Sequence, residues 1–128
     1  MKRIAQPLNL RTVAELFFLA FLCTLPEAVL GHAFPDHSEP KVGATVVSPP
    51  AHVHIWFDGA LEPAFSTIVV QDGSGKRVDK GDGRVNPSDP TLLEASVPPL
   101  PAGTYRVIWK VVARDGHLTK GDYTFVIK

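Results

Sequence analysis

Short runs along this chain alternate apolar and polar side chains with a period of two, the spacing of a strand that buries one face. In "HVHIWFD", His52 to Asp58, Val53, Ile55 and Phe57 share one face, while His52, His54 and Trp56 share the other. "FSTIVVQD", Phe65 to Asp72, is β-branched and ends at the turn signal "DGSGK". "TLLEASV" predicts a weaker strand. "GTYRVIWKVVA" aligns Tyr105, Val107, Trp109 and Val111, and the closing "GDYTFVIK" aligns Tyr123, Phe125 and Ile127. Pro49-Pro50, Pro87, Pro90 and Pro99 to Pro101 punctuate the connections and exclude long helices there. Strands at such spacing predict an all-β domain, a β-sandwich or small barrel. The segment "DGSGKRVDKGDGRVNPSDP" is expected to be a hairpin followed by a mobile, solvated loop. Its Asp72, Asp79, Asp82 and Asp89 raise the idea of calcium, but the EF-hand spacing is absent.

The first thirty residues change the picture. Lys2, Arg3 and Arg11 precede the apolar run "VAELFFLAFLCTL", which is followed by Pro26 and the small-residue site "VLG". A basic head, a short apolar middle and a small-residue cut make a secretory signal. The run is well short of the ~20 residues of a spanning helix, and it carries Glu15. Leu22 before Cys23 does not suit a lipoprotein cut. The expected division is therefore a cleaved signal peptide over 1–31 and one small domain over 32–128, exported and periplasmic. A cut after Ala28 is the rival.

Of 128 residues, 97 remain after that cut, enough for one modest core. The single cysteine, Cys23, leaves with the leader, so neither a disulfide nor a thiolate enzyme is available. The leader takes three of thirteen basic and two of thirteen acidic residues, which leaves ten and eleven. That near-neutral balance points to neither nucleic acid nor an anionic membrane surface.

Chemistry has few places to sit. The serines occupy no nucleophile-elbow pattern. Asp58 and Glu62 are near in sequence, but turn positions explain both. His52 and His54 point the same way on a strand and are expected to be exposed polar residues, as is His37 in its Pro/Ser/Glu loop. In "ARDGHLTKGDYTF", Asp115 and His117 stand two apart around Gly116 at the end of a strong strand. By itself "DGH" is ordinary turn chemistry. Joined with His32, the residue that cleavage after Gly31 exposes, it becomes sharper. One amine, two imidazole nitrogens and one carboxylate oxygen form an N₃O set that suits square-planar Cu(II), whereas zinc prefers a tetrahedron. The α-amine has a free pKa of about 8, so a metal can displace its proton near neutrality; a peptide amide is a far poorer ligand.

Here the residues resemble the CopC/PcoC copper-resistance domain family. The likeness runs over nearly all of the mature chain. It rests on His32, "SEP" at Ser38 to Pro40, "IWFDGALEPAFS", "LPAGTYRVIWKVVARDGH" and the final "GDYTFVIK". The resemblance implies a Greek-key, immunoglobulin-like β-sandwich or barrel. It implies an exported protein that binds Cu(II) through His32, Asp115 and His117; a monomer with one copper per chain, and not an enzyme, is the expected form. Its role would be copper resistance, homeostasis or delivery to a CopD-type membrane copper permease. Two departures stand out. Some members have a methionine-rich Cu(I) loop, and the one methionine here is Met1. Others place a glutamate where this chain has Gly59, beside Asp58, so Asp58 is left out of the expected ligand set. The alternative is a small copper-dependent oxidative enzyme resembling lytic polysaccharide monooxygenases, whose N-terminal histidine also holds copper. Trp56 would be its substrate platform, but the nearby Asp115 carboxylate would oppose reduction of Cu(II).

Overall fold

The computed structural model describes residues 32–128, together with Asn9 and Arg11. The expected leader and its cleavage junction otherwise lie outside the described residues. Eight strands follow in order: β1 (Pro35–Glu39), β2 (Thr45–Val46), β3 (His52–Phe57), β4 (Thr67–Gln71), β5 (Arg84–Asn86), β6 (Asp89–Ser96), β7 (Gly103–Val112) and β8 (Leu118–Ile127). One turn of 3₁₀-helix, Pro63–Phe65, precedes β4. The strands form two four-stranded sheets, ordered β1-β3-β6-β5 and β2-β8-β7-β4. The architecture is the expected β-sandwich.

Alternation along each strand explains the two layers. Val53, Ile55 and Phe57 of β3 are buried, as are Ile68 and Val70 of β4. From the other strands come Leu93 and Ala95 of β6, Tyr105, Val107, Trp109 and Val111 of β7, and Tyr123, Phe125 and Ile127 of β8. Full burial of one such aliphatic or aromatic side chain is worth about 1.5–3 kcal/mol, which makes these inner faces the main source of stability. Phe57 meets Trp109 edge-on at 5.3 Å between ring centroids, and Tyr105 stacks on Phe125 at 5.6 Å. The Tyr105 hydroxyl donates to the Pro101 carbonyl at 2.6 Å and pins the proline-rich turn before β7. β7 and β8 form the longest pairing, in unbroken antiparallel register from Gly103↔Ile127 to Val112↔Leu118.

Several expectations are corrected. His37 lies on an edge strand, β1, rather than in a loop. β1 pairs with β3, which could not be read from "PDHSE" because its pairing partner is fifteen or more residues away. "TLLEASV" belongs to an interior strand, β6, which begins earlier at Asp89 and is flanked by β3 and β5. The glycine-rich segment is not simply a solvated loop: it contains β5, and its aspartates hold backbone. Asp72 accepts from the N–H groups of Ser74 and Lys76, Asp82 from Ser96, and Asp89 from Thr91. Asp79 accepts from the N–H groups of Val70 and Gly81 and from the Arg77 guanidinium, with its side chain 0% exposed. Four carboxylates with four separate backbone duties leave no shared cage for calcium.

Candidate metal centre

The turn that closes the β7–β8 hairpin builds half of the site. The N–H of Gly116 donates to the Ala113 carbonyl at 2.9 Å, and the N–H of Ala113 donates to the His117 carbonyl at 3.0 Å. Gly116 has φ +88°, a left-handed conformation that costs glycine little and other residues more. The N–H of His117 donates to Asp115 Oδ1 at 3.0 Å. This local bond turns Asp115 inward and places its second oxygen beside the His117 ring. Two crosslinks fix the turn to the segment after β3: Leu61 bridges Ala113, and the Arg114 N–H donates to the Ala60 carbonyl.

The other half comes from the start of the domain. Ala33 is fully buried, and its carbonyl accepts from the Thr119 hydroxyl at 2.9 Å. Phe34 is clamped on both sides of its peptide. Its N–H donates to Asp58 Oδ1 at 2.7 Å, and its carbonyl accepts from the Asp58 N–H at 2.9 Å. Gly59 packs beside this arm, and a Cβ there would only touch Ala33 at an ordinary contact distance of 3.8 Å. The arm therefore delivers His32 to the turn.

His32, Asp115 and His117 converge, with one potential ligand atom from each within 4.8 Å of the others, and they are the one such group among the described residues. The imidazole centroids of His32 and His117 are 4.0 Å apart. Asp115 Oδ2 lies 3.0 Å from His117 Nδ1 and 3.5 Å from His32 Nδ1. The Asp115 side chain is only 8% exposed, against 42% for His32 and 61% for His117. Buried Oδ2 nevertheless has no hydrogen bond of good geometry. A buried, unsatisfied carboxylate oxygen is costly, and here it faces two nitrogens that can take one tautomer and turn to a shared cation. The backbone N–H of His117 holds the Asp115 carboxyl below the usual carboxylate range; burial opposes this, and the two imidazoles reinforce it. Asp115 is thus an anion at neutral pH.

Asp58, excluded from the ligand set, is a backbone strut for the arm. Thr119 was not singled out in the sequence; only a side chain reaching the far end of the domain marks it, and no local pattern carries that signal. His52 and His54 stack at 5.6 Å on the outer face, and His54 Nε2 lies 3.7 Å from Glu94. His37 stacks on Trp56 at 4.4 Å with planes 7° apart, so one face of the Trp56 ring is covered.

Residues 36–128 match the family profile described as the CopC domain. The "Copper transport protein CutJ" of Bacillus subtilis is 31% identical over 113 residues, covering 88% of this chain but only 21% of its own length. "Copper resistance protein C" of Escherichia coli is 30% identical over 113 residues, covering 78% of this chain and 90% of its own. The crystal structure of CopC from Methylosinus trichosporium OB3b superposes with a TM-score of 0.67 at 33% identity, covering 76% of this chain and 94% of the other.

Proposed function

The chain belongs to the CopC family, and from that premise we propose that it is an exported Cu(II) carrier whose mature chain begins at its own ligand, His32. The observation that supports this reading is the convergence of His32, Asp115 and His117 around the unsatisfied Asp115 Oδ2. Copper is the cargo. Cleavage after Gly31 would free the His32 amine, and that amine, two imidazoles and one carboxylate supply three nitrogens and one oxygen. Among first-row divalent ions, Cu(II) gains most from such a nitrogen-rich set. The Asp115 anion offsets part of the ion's charge and favours Cu(II) over Cu(I). The protein would capture or buffer copper in the periplasm as a monomer, for resistance, homeostasis or delivery to a membrane copper permease of the CopD type. For the oxidative-enzyme alternative no observation speaks: the carboxylate opposes reduction, and His37 covers a face of Trp56.

Electron paramagnetic resonance of the exported, processed protein with one equivalent of Cu(II) tests the proposal, with the N-terminus checked by mass. One axial spectrum with nitrogen splittings is expected, and a form carrying extra residues before His32 should give a different spectrum and weaker binding. Equal spectra and equal affinities in the two forms would overturn the role of the amine.

A further inference from the structure

The two sheets do not close along the side where β1 and β8 face each other. β2 covers β8 only at Val126 and Ile127, so the stretch of β8 around Gly121 to Tyr123 lies at an open seam. A cavity of about 470 Å³ occupies it, lined by Ser38, Ile55, Trp109, Gly121 and Tyr123 inside and by Pro35, Lys41 and Val42 toward solvent. Its lining is mostly apolar. Gly121 is required beneath the indole: a Cβ there would sit 2.6 Å from Trp109 Cζ2.

One polar group in this lining is unexplained. Tyr123 is 8% exposed, and its hydroxyl makes no hydrogen bond of good geometry among the described residues. The Ser38 hydroxyl beside it donates to the Pro40 carbonyl at 3.0 Å and keeps its lone pairs, but no hydrogen bond of good geometry joins it to the phenol. A buried orphan hydroxyl costs stability, and such groups in native folds are few. Burial raises the Tyr123 phenol to about 12, against a smaller opposing effect of the neighbouring Ser38 hydroxyl, so at neutral pH it remains a neutral donor. The charges at the mouth also differ in their commitments. Asp122 is paired with Arg106 at 2.8 Å, and Asp36 is hydrogen-bonded to His37 Nδ1 at 2.8 Å. Lys41 has no ion-pair partner among the described residues.

We propose that this seam cavity binds a small aromatic carboxylate, with its ring against Trp109 and its carboxylate shared between the Tyr123 hydroxyl and the Lys41 ammonium. The size lies within the usual range for small-molecule sites, about 300–1,000 Å³, as does the combination of an apolar lining with a few convergent polar groups. An acid fits better than an alcohol because the open groups are a donor and a cation. A ring fits because indole and phenol walls favour stacked or edge-on contacts. None of these residues is a proposed copper ligand, so the inference stands apart from the copper reading.

The test is titration of the exported protein with 2-naphthoate, followed by calorimetry and by amide NMR shifts. Saturable binding of one molecule per chain is expected, with shifts centred on β1, β8 and Lys41. Tyr123→Phe removes only the orphan hydroxyl, so it should fold at least as well as the native protein and bind about tenfold more weakly, because hydrogen bonds to charged acceptors are the stronger kind. Lys41→Gln, at an exposed position, should weaken binding severalfold. The neutral analogue 2-acetylnaphthalene should bind more weakly and should not respond to Lys41→Gln. Absence of saturable binding, equal affinity in Tyr123→Phe and the native protein, or shifts centred away from the seam would overturn the proposal.

Discussion

Removing the two side chains that hold the arm, Asp58 and Thr119, should weaken copper binding without changing the ligand set. Fixing the backbone of His32, Ala33 and Phe34 costs about 1–2 kcal/mol per residue, or roughly 3–6 kcal/mol in all. Against this stand burial of Ala33, the two bonds between Phe34 and Asp58, and the Thr119 bond to Ala33. A hydrogen bond to a carboxylate is worth about 1.5–3 kcal/mol, but this one is exposed, so about 1 kcal/mol is the fair figure. The half-buried Thr119 bond adds about 1 kcal/mol. The opposing contributions are close to balance, so losing either bond should partly detach the arm. Apparent affinity falls by the fraction of molecules still docked. Each of Asp58→Ala and Thr119→Val should therefore cost up to about fivefold. The double variant, losing about 2 kcal/mol, should cost up to about thirtyfold.

The assay is competition for Cu(II) against a chelator at fixed pH on the processed protein, paired with spectra of the copper-loaded forms. Asp58→Ala should keep the native spectrum while binding more weakly, because all ligands remain. Asp58→Asn, which retains an acceptor oxygen, should recover part of the loss. His117→Ala should change the spectrum itself. Native affinity in the double variant would refute the reasoning and would mean that His32 reaches the site without a docked arm.

Asp79→Ala should destabilise the fold by about 3 kcal/mol in chemical denaturation, since it strands the buried Val70 N–H and removes the Arg77 pair. Burial alone would raise the Asp79 carboxyl, but Arg77 and the N–H groups of Val70 and Gly81 outweigh it and hold it below the ordinary 3.8. With the folded value depressed, the stabilisation is complete above 3.8 and is lost as pH falls through the lower folded value; Asp79→Asn should flatten that acid limb, and an unchanged limb would count against this account. Gly121→Ala should lower the thermal midpoint by overpacking against Trp109, at about 1–3 kcal/mol, while an unchanged midpoint would show that the indole can move aside.

Local pattern was enough for much of this protein. β3, β4, β7 and β8 were legible because one buried face imposes period-two alternation on the residues themselves, and Tyr105, Val107, Trp109, Val111 and Phe125 are buried as that pattern requires. The "DGH" turn was legible because Gly116 and an Asp that accepts from a backbone N–H two residues on are local chemistry. Other features depend on partners distant in the chain. Nothing around Asp79 in the sequence distinguishes it from the solvated aspartates beside it; the edge of β4 makes it a buried strut. Nothing in "PDHSE" announces a strand until β3 offers its edge. Asp58 and Thr119 acquire their roles only when the first residues of the domain lie across them. The sequence supplied the ligand types, and the resemblance supplied their grouping. Only the packing of the arm against β8 and the β3 turn could bring His32 from one end of the domain to Asp115 and His117 near the other, because that proximity is decided by burial of Ala33 and by bonds spanning most of the fold.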